Sequence, residues 1–269
     1  MENKAFEETQ KASGESAAAS AVDACVAEAA HAAAQRAQSS GKHAIAAFDF
    51  DGTSIQGNSP VLLVRYLWRD DLLKKRVVAK VGSWGLAYKL HLPQSEEWVR
   101  GQVFTAFEGR PKAEVDEYLR VFYDEVIAGQ KRFRPKARAA MRALRDAGVE
   151  VAIVSATFGP IVRRAQEFEP IDVSLCTEMQ VDAAGNYTRQ VDGECIEGDA
   201  KVRAITQWAN AKYGEGNWEL SCAFGDHHSD IPMLTAAREG FAICSDSTLG
   251  RAAREAGWRE LDWECKPEK

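Results

Sequence analysis

Residues 44–53 constrain this chain more than any other stretch. They read Ala-Ile-Ala-Ala-Phe-Asp-Phe-Asp-Gly-Thr. The first five form the continuous apolar run expected of a strand buried on both faces. The run stops at two carboxylates, Asp49 and Asp51, separated by one residue and followed by Gly52 and Thr53. Residues i and i+2 of a strand share a face, so both acids are expected to leave the strand end on the same side. Burying two carboxylates together is costly without a cation or strong donors. Asp and Gly are also ordinary turn residues, and taken alone the stretch is equally a plain strand-to-turn transition. An open parallel sheet, however, binds its ligands at the carboxyl ends of its strands.

The rest of the chain supplies the other strands. Val149–Val154 is a second buried-strand pattern, ending at Ser155. Glu219–Phe224 is a third, ending at Gly225-Asp226. Phe241–Ile243 is a fourth, and Trp258–Leu261 offers a last one. A short strand is expected near 172–176, followed by a hairpin turning at Asp182–Asn186. Between them lie helical patterns. Pro135 opens one helix at its first position and Gly148 closes it. Gly159-Pro160 opens another, with Ile161, Val162, Ala165 and Phe168 expected inward, and a helix over 199–213 is expected to be capped by Asp199. Strands alternating with helices predict an α/β fold, a doubly wound, Rossmann-like parallel sheet.

Two segments fall outside that alternation. Residues 1–42 are rich in Ala, Glu, Gln and Ser, with few large apolar side chains, and predict a loosely attached helix or a tail. Residues 57–133 carry helical patterns and no strand pattern. The clearest runs over 112–128, where Val115, Tyr118, Leu119, Phe122, Tyr123, Val126 and Ile127 make one stripe. The expected organisation is a catalytic core of residues 43–56 and 134–265 and a small all-helical cap at 57–133.

Composition narrows the function. A net charge of −6 argues against a nucleic-acid partner. None of the six cysteines sits in a CxxC pair, and the acidic, Ala-rich N-terminus does not read as a secretory signal, so a cytoplasmic setting with reduced thiols is expected. The basic run Arg65, Arg69, Lys74, Lys75, Arg76 and Lys80 reads first as a solvated helix face, with steering of an anionic substrate or contact with an anionic membrane surface as the alternative. Trp84, Leu86, Tyr88, Leu90 and Leu92 read as cap interior.

Four polar positions stand out: Asp49 with Asp51, Ser155, Lys201 and Asp226. Strand ends of a parallel sheet share one edge, so distant residues can converge there. Lys201 falls in a helix first turn, where the helix dipole disfavours a cation, which hints at an anion to be held. Asp49, Asp51, Asp226 and Asp230 offer the oxygen-only ligands that suit Mg2+. A hydroxyl, an ammonium and a hard-metal site together describe a cradle for a phosphoryl group. His227 and His228 also invite a metal reading, but adjacent residues are expected to point in different directions and no further ligand pair is visible, so ordinary loop contacts are the expectation.

The chain resembles the haloacid dehalogenase superfamily of phosphohydrolases. Asp49-Phe50-Asp51-Gly52-Thr53 is similar to its DxDGT motif, and Val154-Ser155-Ala156-Thr157 to its second motif. Lys201 corresponds to the third, and Gly225-Asp226-His227-His228-Ser229-Asp230 to the GDxxxD form of the fourth. A helical insertion between the first two motifs resembles the cap of the subclass containing phosphoserine phosphatase. The resemblance implies a phosphomonoester hydrolase of a small phosphorylated metabolite. Asp49 would be the nucleophile and Asp51 the general acid and base. Mg2+ would sit on Asp49, Asp51 and Asp226, and phosphate on Ser155, Ala156 and Lys201, with Thr53 and Asp230 in support.

A phosphotransferase or mutase would share every motif, and a phosphorylated lipid headgroup is a further alternative substrate. Phosphoserine itself is disfavoured. The glutamate that reads its ammonium in the resembled enzymes, nine residues past the nucleophile, is Asn58 here, and the second motif reads Ser-Ala-Thr-Phe rather than Ser-Gly-Gly-Phe.

Overall fold

The computed structural model describes residues 22–73 and 103–264. Its centre is a seven-stranded sheet. In chain order the strands are β1 (His43–Phe48), β2 (Glu150–Phe158), β3 (Val173–Val181), β4 (Tyr187–Asp192), β5 (Trp218–Gly225), β6 (Glu239–Ile243) and β7 (Arg259–Leu261). Their spatial order is β4-β3-β2-β1-β5-β6-β7. All neighbours are parallel except β3 and β4, which form the expected antiparallel hairpin.

The alternation of β1 explains why its apolar run is unbroken. Ala44, Ala46 and Phe48 face one hydrophobic cluster, whereas Ile45 and Ala47 face a second on the opposite side of the sheet. On the first face, Phe48 of β1 stacks on Phe224 of β5 at 4.0 Å, and Phe224 stacks on Phe241 of β6 at 4.5 Å. Trp263 extends the row, 5.8 Å from Phe224. These flat contacts tie the central strands together beneath the edge that carries the acids.

The helices around the sheet and in the segment after β1 include α1 (Ala24–Ser40), α2 (Ser59–Arg69), α3 (Lys112–Phe122), α4 (Pro135–Asp146), α5 (Gly159–Gln166), α6 (Asp199–Tyr213), α7 (Ile231–Ala236) and α8 (Ser247–Ala256). Among the described residues, none is long and apolar enough to cross a membrane. Helix α3 continues as a π-helical turn over Tyr123–Ala128, so the predicted stripe holds through a change of helix type. Pro135 and Gly148 bracket α4 as expected, with Gly148 at φ +82°.

Several expectations need correction. Helix α1 is not loosely attached. Val26, Ala29, Ala30 and Ala33 are buried against the core, and small side chains let the helix approach closely enough to do without large ones. Asp23 fixes its start, accepting from Trp263 Nε1 at 2.8 Å and from Lys136 Nζ at 3.0 Å. Residues 1–21 lie outside the described residues. Phe168 is exposed, because α5 ends at Gln166 and leaves it beyond the inward stripe; the Arg164 guanidinium covers its ring. Asp199 does not cap α6 but is its first residue, and Gly198 holds the cap position. Ser155 does not end β2, which runs on to Phe158 with a register break after Ser155.

Between β1 and α4 the described residues include α2, α3 and the π turn. Tyr66 of α2 packs edge-on to Phe122 at 5.3 Å. The segment leading into α3 docks on the β3–β4 hairpin, with Gly109 N donating to Tyr187 O and Tyr187 N to Arg110 O, both at 2.9 Å. The basic residues Lys74–Lys80 and the aromatic run Trp84–Leu92 lie outside the described residues. Arg69, the end of α2, is neutralised by Asp70 and Glu125. Among the described residues Cys25, Cys176, Cys195 and Cys222 are unbridged, whereas Cys244 is disulfide-bonded, which corrects the expectation of reduced thiols at that position.

Candidate active site

Strand β1 ends at Phe48, yet Asp49 N still donates to Phe224 O of β5 at 2.9 Å. Asp49 is therefore held by the last rung of the sheet. The chain then turns: Ser54 Oγ donates to Asp49 O at 2.6 Å, and Gly52 N to Gly57 O at 3.0 Å. Gly52 has φ +74°, and a Cβ built on it would lie 1.9 Å from Asp226 Oδ2. Only glycine meets both demands, a left-handed backbone and a carboxylate at contact distance.

Lys201, from the first turn of α6, reaches the same edge and is 2 % exposed. Its Nζ donates to Asp49 Oδ1 and Asp230 Oδ1, each at 2.6 Å. Burial works against its charge, but Asp230 and Asp49 outweigh burial and raise its pKa well above the usual lysine value. Asp230 uses its other oxygen to accept from Asp226 N and His227 N, both at 3.2 Å. Thr53 Oγ1 donates to Asp226 Oδ1 at 3.0 Å. Thus the loop after β5 and the loop after β1 are locked to one another through Lys201, Thr53 and the acids.

Asp49, Asp226 and Asp230 each offer a carboxylate oxygen within 4.8 Å of the others. Burial pushes Asp49 up to about 7 against the pull of Lys201, with Asp230 and Asp51 adding to the rise. Burial, followed by Asp49 and Asp230, holds Asp226 well above the usual carboxylate range. Among the described residues, three crowded carboxylates against the Lys201 ammonium leave a negative surplus in a largely buried site. A hard dication fits that donor set. Asp230 has both oxygens committed to protein donors, so Asp49 and Asp226 are the residues suited to hold it.

Asp51 is set apart by its partners. Its Oδ1 accepts from Ser59 N at 2.6 Å, and its Oδ2 from Ser59 Oγ at 2.9 Å and Thr157 Oγ1 at 2.6 Å. Burial raises its pKa, and the bonds from Thr157 and Ser59 pull it back. Ser155, 2 % exposed, accepts from Thr157 N at 3.3 Å. A cleft of about 270 Å³ is lined by Asp49, Asp51, Ser155, Ala156, Lys201 and Asp226. Asp230 is also in its wall, and Thr53 sits behind it, fully buried. The sequence-predicted residues are thus brought to one rim.

Other residues there were not foreseen. Ser59 and Thr157 hold Asp51, and only the departure of Ser-Ala-Thr-Phe from the resembled motif signalled Thr157. Arg134, 7 % exposed, donates through Nε to Gly52 O at 3.1 Å and through Nη1 to Trp263 O. Glu197 lines the cleft without any sequence signal. Asn58 also lines it, and its side chain caps α2 by accepting from Val61 N at 3.1 Å. The histidines differ from expectation: the rings of His227 and His228 lie together, 3.9 Å apart between centroids.

Comparison with known proteins agrees with this geometry. Over 226 residues the chain is 25% identical to a histidinol-phosphatase of Neisseria meningitidis, covering 81% of this chain and 98% of that protein. It is 28% identical over 228 residues to a phosphoserine phosphatase of Mycobacterium tuberculosis, covering 82% of this chain and 71% of the relative. Among solved structures, a protein of unknown function from Bordetella pertussis superposes with a TM-score of 0.71 at 21% identity, covering 82% of this chain and 99% of that one. A substrate-bound phosphoserine phosphatase superposes with a TM-score of 0.53 at 19% identity, covering 78% and 90%. These two show the shared fold. Residues 46–235, more than half of the sequence, match the haloacid dehalogenase-like hydrolase family, and the chain belongs to that family.

Proposed function

We propose that the protein is a Mg2+-dependent phosphomonoester hydrolase that works through an aspartyl-phosphate on Asp49. The observation that carries this reading is the buried bridge from Lys201 to Asp49 and Asp230, with Asp226 alongside. It leaves a carboxylate nucleophile beside an ammonium and a site with the charge a phosphoryl group and a dication require. The relatives named as phosphatases support the same substrate class.

In the first step a carboxylate oxygen of Asp49 bonds to phosphorus and the ester P–O bond breaks. Asp51 gives its proton to the departing alkoxide oxygen. In the second step Asp51 takes a proton from water as that water attacks phosphorus, which releases phosphate and restores Asp49. Lys201, Ser155 and the backbone at Ala156 hold the non-bridging oxygens throughout. Bound Mg2+ would supply charge neutralisation to the phosphoryl oxygens. Burial of Asp51 favours its protonated form, as the first step needs, while Ser59 and Thr157 stabilise the carboxylate that the second step needs. Residues 57–133 act as the cap that selects the alcohol part of the substrate. Asn58 is committed to capping α2, so phosphoserine recognition by a glutamate at that position does not operate here.

The test is hydrolysis of p-nitrophenyl phosphate, with and without Mg2+, by the parent and by Asp49→Asn. Turnover that needs Mg2+ and disappears in the variant is the expected result. Equal rates in the two proteins would overturn the assignment. Free phosphate, rather than an isomerised ester, separates hydrolysis from group transfer.

A further inference from the structure

Beside the catalytic cleft lies a second cluster with a different donor set. One imidazole nitrogen from each of His227 and His228, and a carboxylate oxygen of Asp246, lie within 4.8 Å of one another. His227 and His228 leave β5, while Asp246 follows β6, so the pairing of β5 with β6 brings them together. We infer that His227, His228 and Asp246 form a binding site for a borderline divalent transition metal ion, of the Zn2+ class, at the lip of the cleft.

Three features make this a prepared site. Asp246 Oδ1 accepts from Thr248 N at 2.8 Å and Leu249 N at 2.7 Å, which fixes the carboxylate as the cap of α8. Its Oδ2 is thereby turned to His228, 4.0 Å from Nδ1. On the other side, His227 Nδ1 is held by Ser229 Oγ at 3.0 Å and Ser229 N at 3.5 Å, so its ring is oriented by a neighbour, as metal-binding imidazoles usually are. Finally, the two imidazole rings lie against each other, 3.9 Å apart between centroids, so that a nitrogen of each is within reach of the same carboxylate.

The ligand chemistry decides the class of ion. Two imidazoles and one carboxylate suit Zn2+ and its neighbours in the transition series, whereas Mg2+ prefers oxygen ligands such as Asp49 and Asp226. Tetrahedral bonds of about 2.0–2.2 Å place ligand atoms about 3.3 Å apart, so the cluster must contract. His228 is exposed, so its side chain has room to move towards Asp246, which allows the contraction. The fourth position is left for water or an incoming oxygen ligand. Because His227 lines the cleft, an ion held here stands beside the path of an anionic substrate.

The test counts zinc on the full-length protein, stripped of metal and held in saturating Mg2+, by titration against a zinc indicator. The parent is expected to take one equivalent that Mg2+ does not displace. His228→Ala and Asp246→Asn should each weaken it by at least about tenfold. Asp246→Asn keeps an oxygen to cap α8, and Mg2+-dependent melting checks that each variant is folded. The same equivalent should persist in Asp226→Asn. Absence of a Mg2+-resistant equivalent would overturn the proposal, and so would its loss in Asp226→Asn. Unchanged affinity in either His228→Ala or Asp246→Asn would overturn it too. None of these readings depends on turnover, so the result stands apart from the proposed phosphatase activity.

Discussion

Thr157 Oγ1 donates to Asp51 Oδ2 at 2.6 Å, across the gap between the second and first motifs. The threonine stands where the resembled phosphoserine phosphatases carry glycine. Replacing it with valine keeps the shape and removes the donor. A hydrogen bond to a carboxylate contributes about 1.5–3 kcal/mol, equivalent to about a ten- to hundredfold change in rate. Thr157→Val should therefore slow dephosphorylation by that factor and move the Asp51 limb of the pH–rate profile to higher pH. Formation of the phosphoenzyme from p-nitrophenyl phosphate should change less, because that leaving group needs no proton. Burst kinetics over a range of pH measures both, and an unshifted limb would count against the role of Thr157.

Among the described residues, Lys201 supplies the ammonium between two buried carboxylates, Asp49 and Asp230. Lys201→Met leaves Asp49 and Asp230 without their counter-ion, and breaking a buried pair from one side costs about 3–5 kcal/mol. The variant should unfold at lower denaturant concentration and lose turnover. Mg2+ should recover part of the stability but none of the activity. Denaturant titration with and without the ion tests this.

Metal-free stability should fall with rising pH. Asp49 has its folded pKa raised from the usual 3.8 to about 7. In that window the folded state holds a proton that the unfolded chain has released, so stability present below 3.8 is lost as pH rises through 7. Asp226, also raised, acts in the same direction. Lys201, raised well above its usual value, keeps its contribution across this window. Mg2+ competes with these protons, so the rise in Tm it causes should be larger above about pH 7 than near pH 5. Calorimetric melts at both pH values, with and without Mg2+, would show it; a smaller rise at the higher pH would contradict the placement of the ion on Asp49 and Asp226.

Gly52→Ala places a methyl group against Asp226 and puts alanine at φ +74°. The backbone strain is about 1–2 kcal/mol, which the fold should survive. The displaced Asp226 should not serve its ligand as before. We expect Mg2+ affinity to drop by at least about tenfold with little change in far-ultraviolet circular dichroism. Unaltered affinity would show that Asp226 is not a ligand.

Local chemistry accounts for what the sequence determined by itself. The apolar run before Asp49 had to be a central strand, because a continuous hydrophobic stretch needs cover on both faces, and the parallel sheet provides it. The order of motifs placed Asp49, Ser155, Lys201 and Asp226 along one edge for the same reason. Pro135 and Gly148 marked the ends of α4 because their backbone preferences act within a few residues. Tertiary structure alone decided the rest. Docking of α1 depends on how closely alanines can approach a neighbouring helix and sheet, which composition does not disclose. The grip of Thr157 on Asp51 and of Arg134 on Gly52, and the approach of Asp246 to His228, join residues separated by many positions. Such contacts arise from the order in which strands pair, and no local pattern encodes that order.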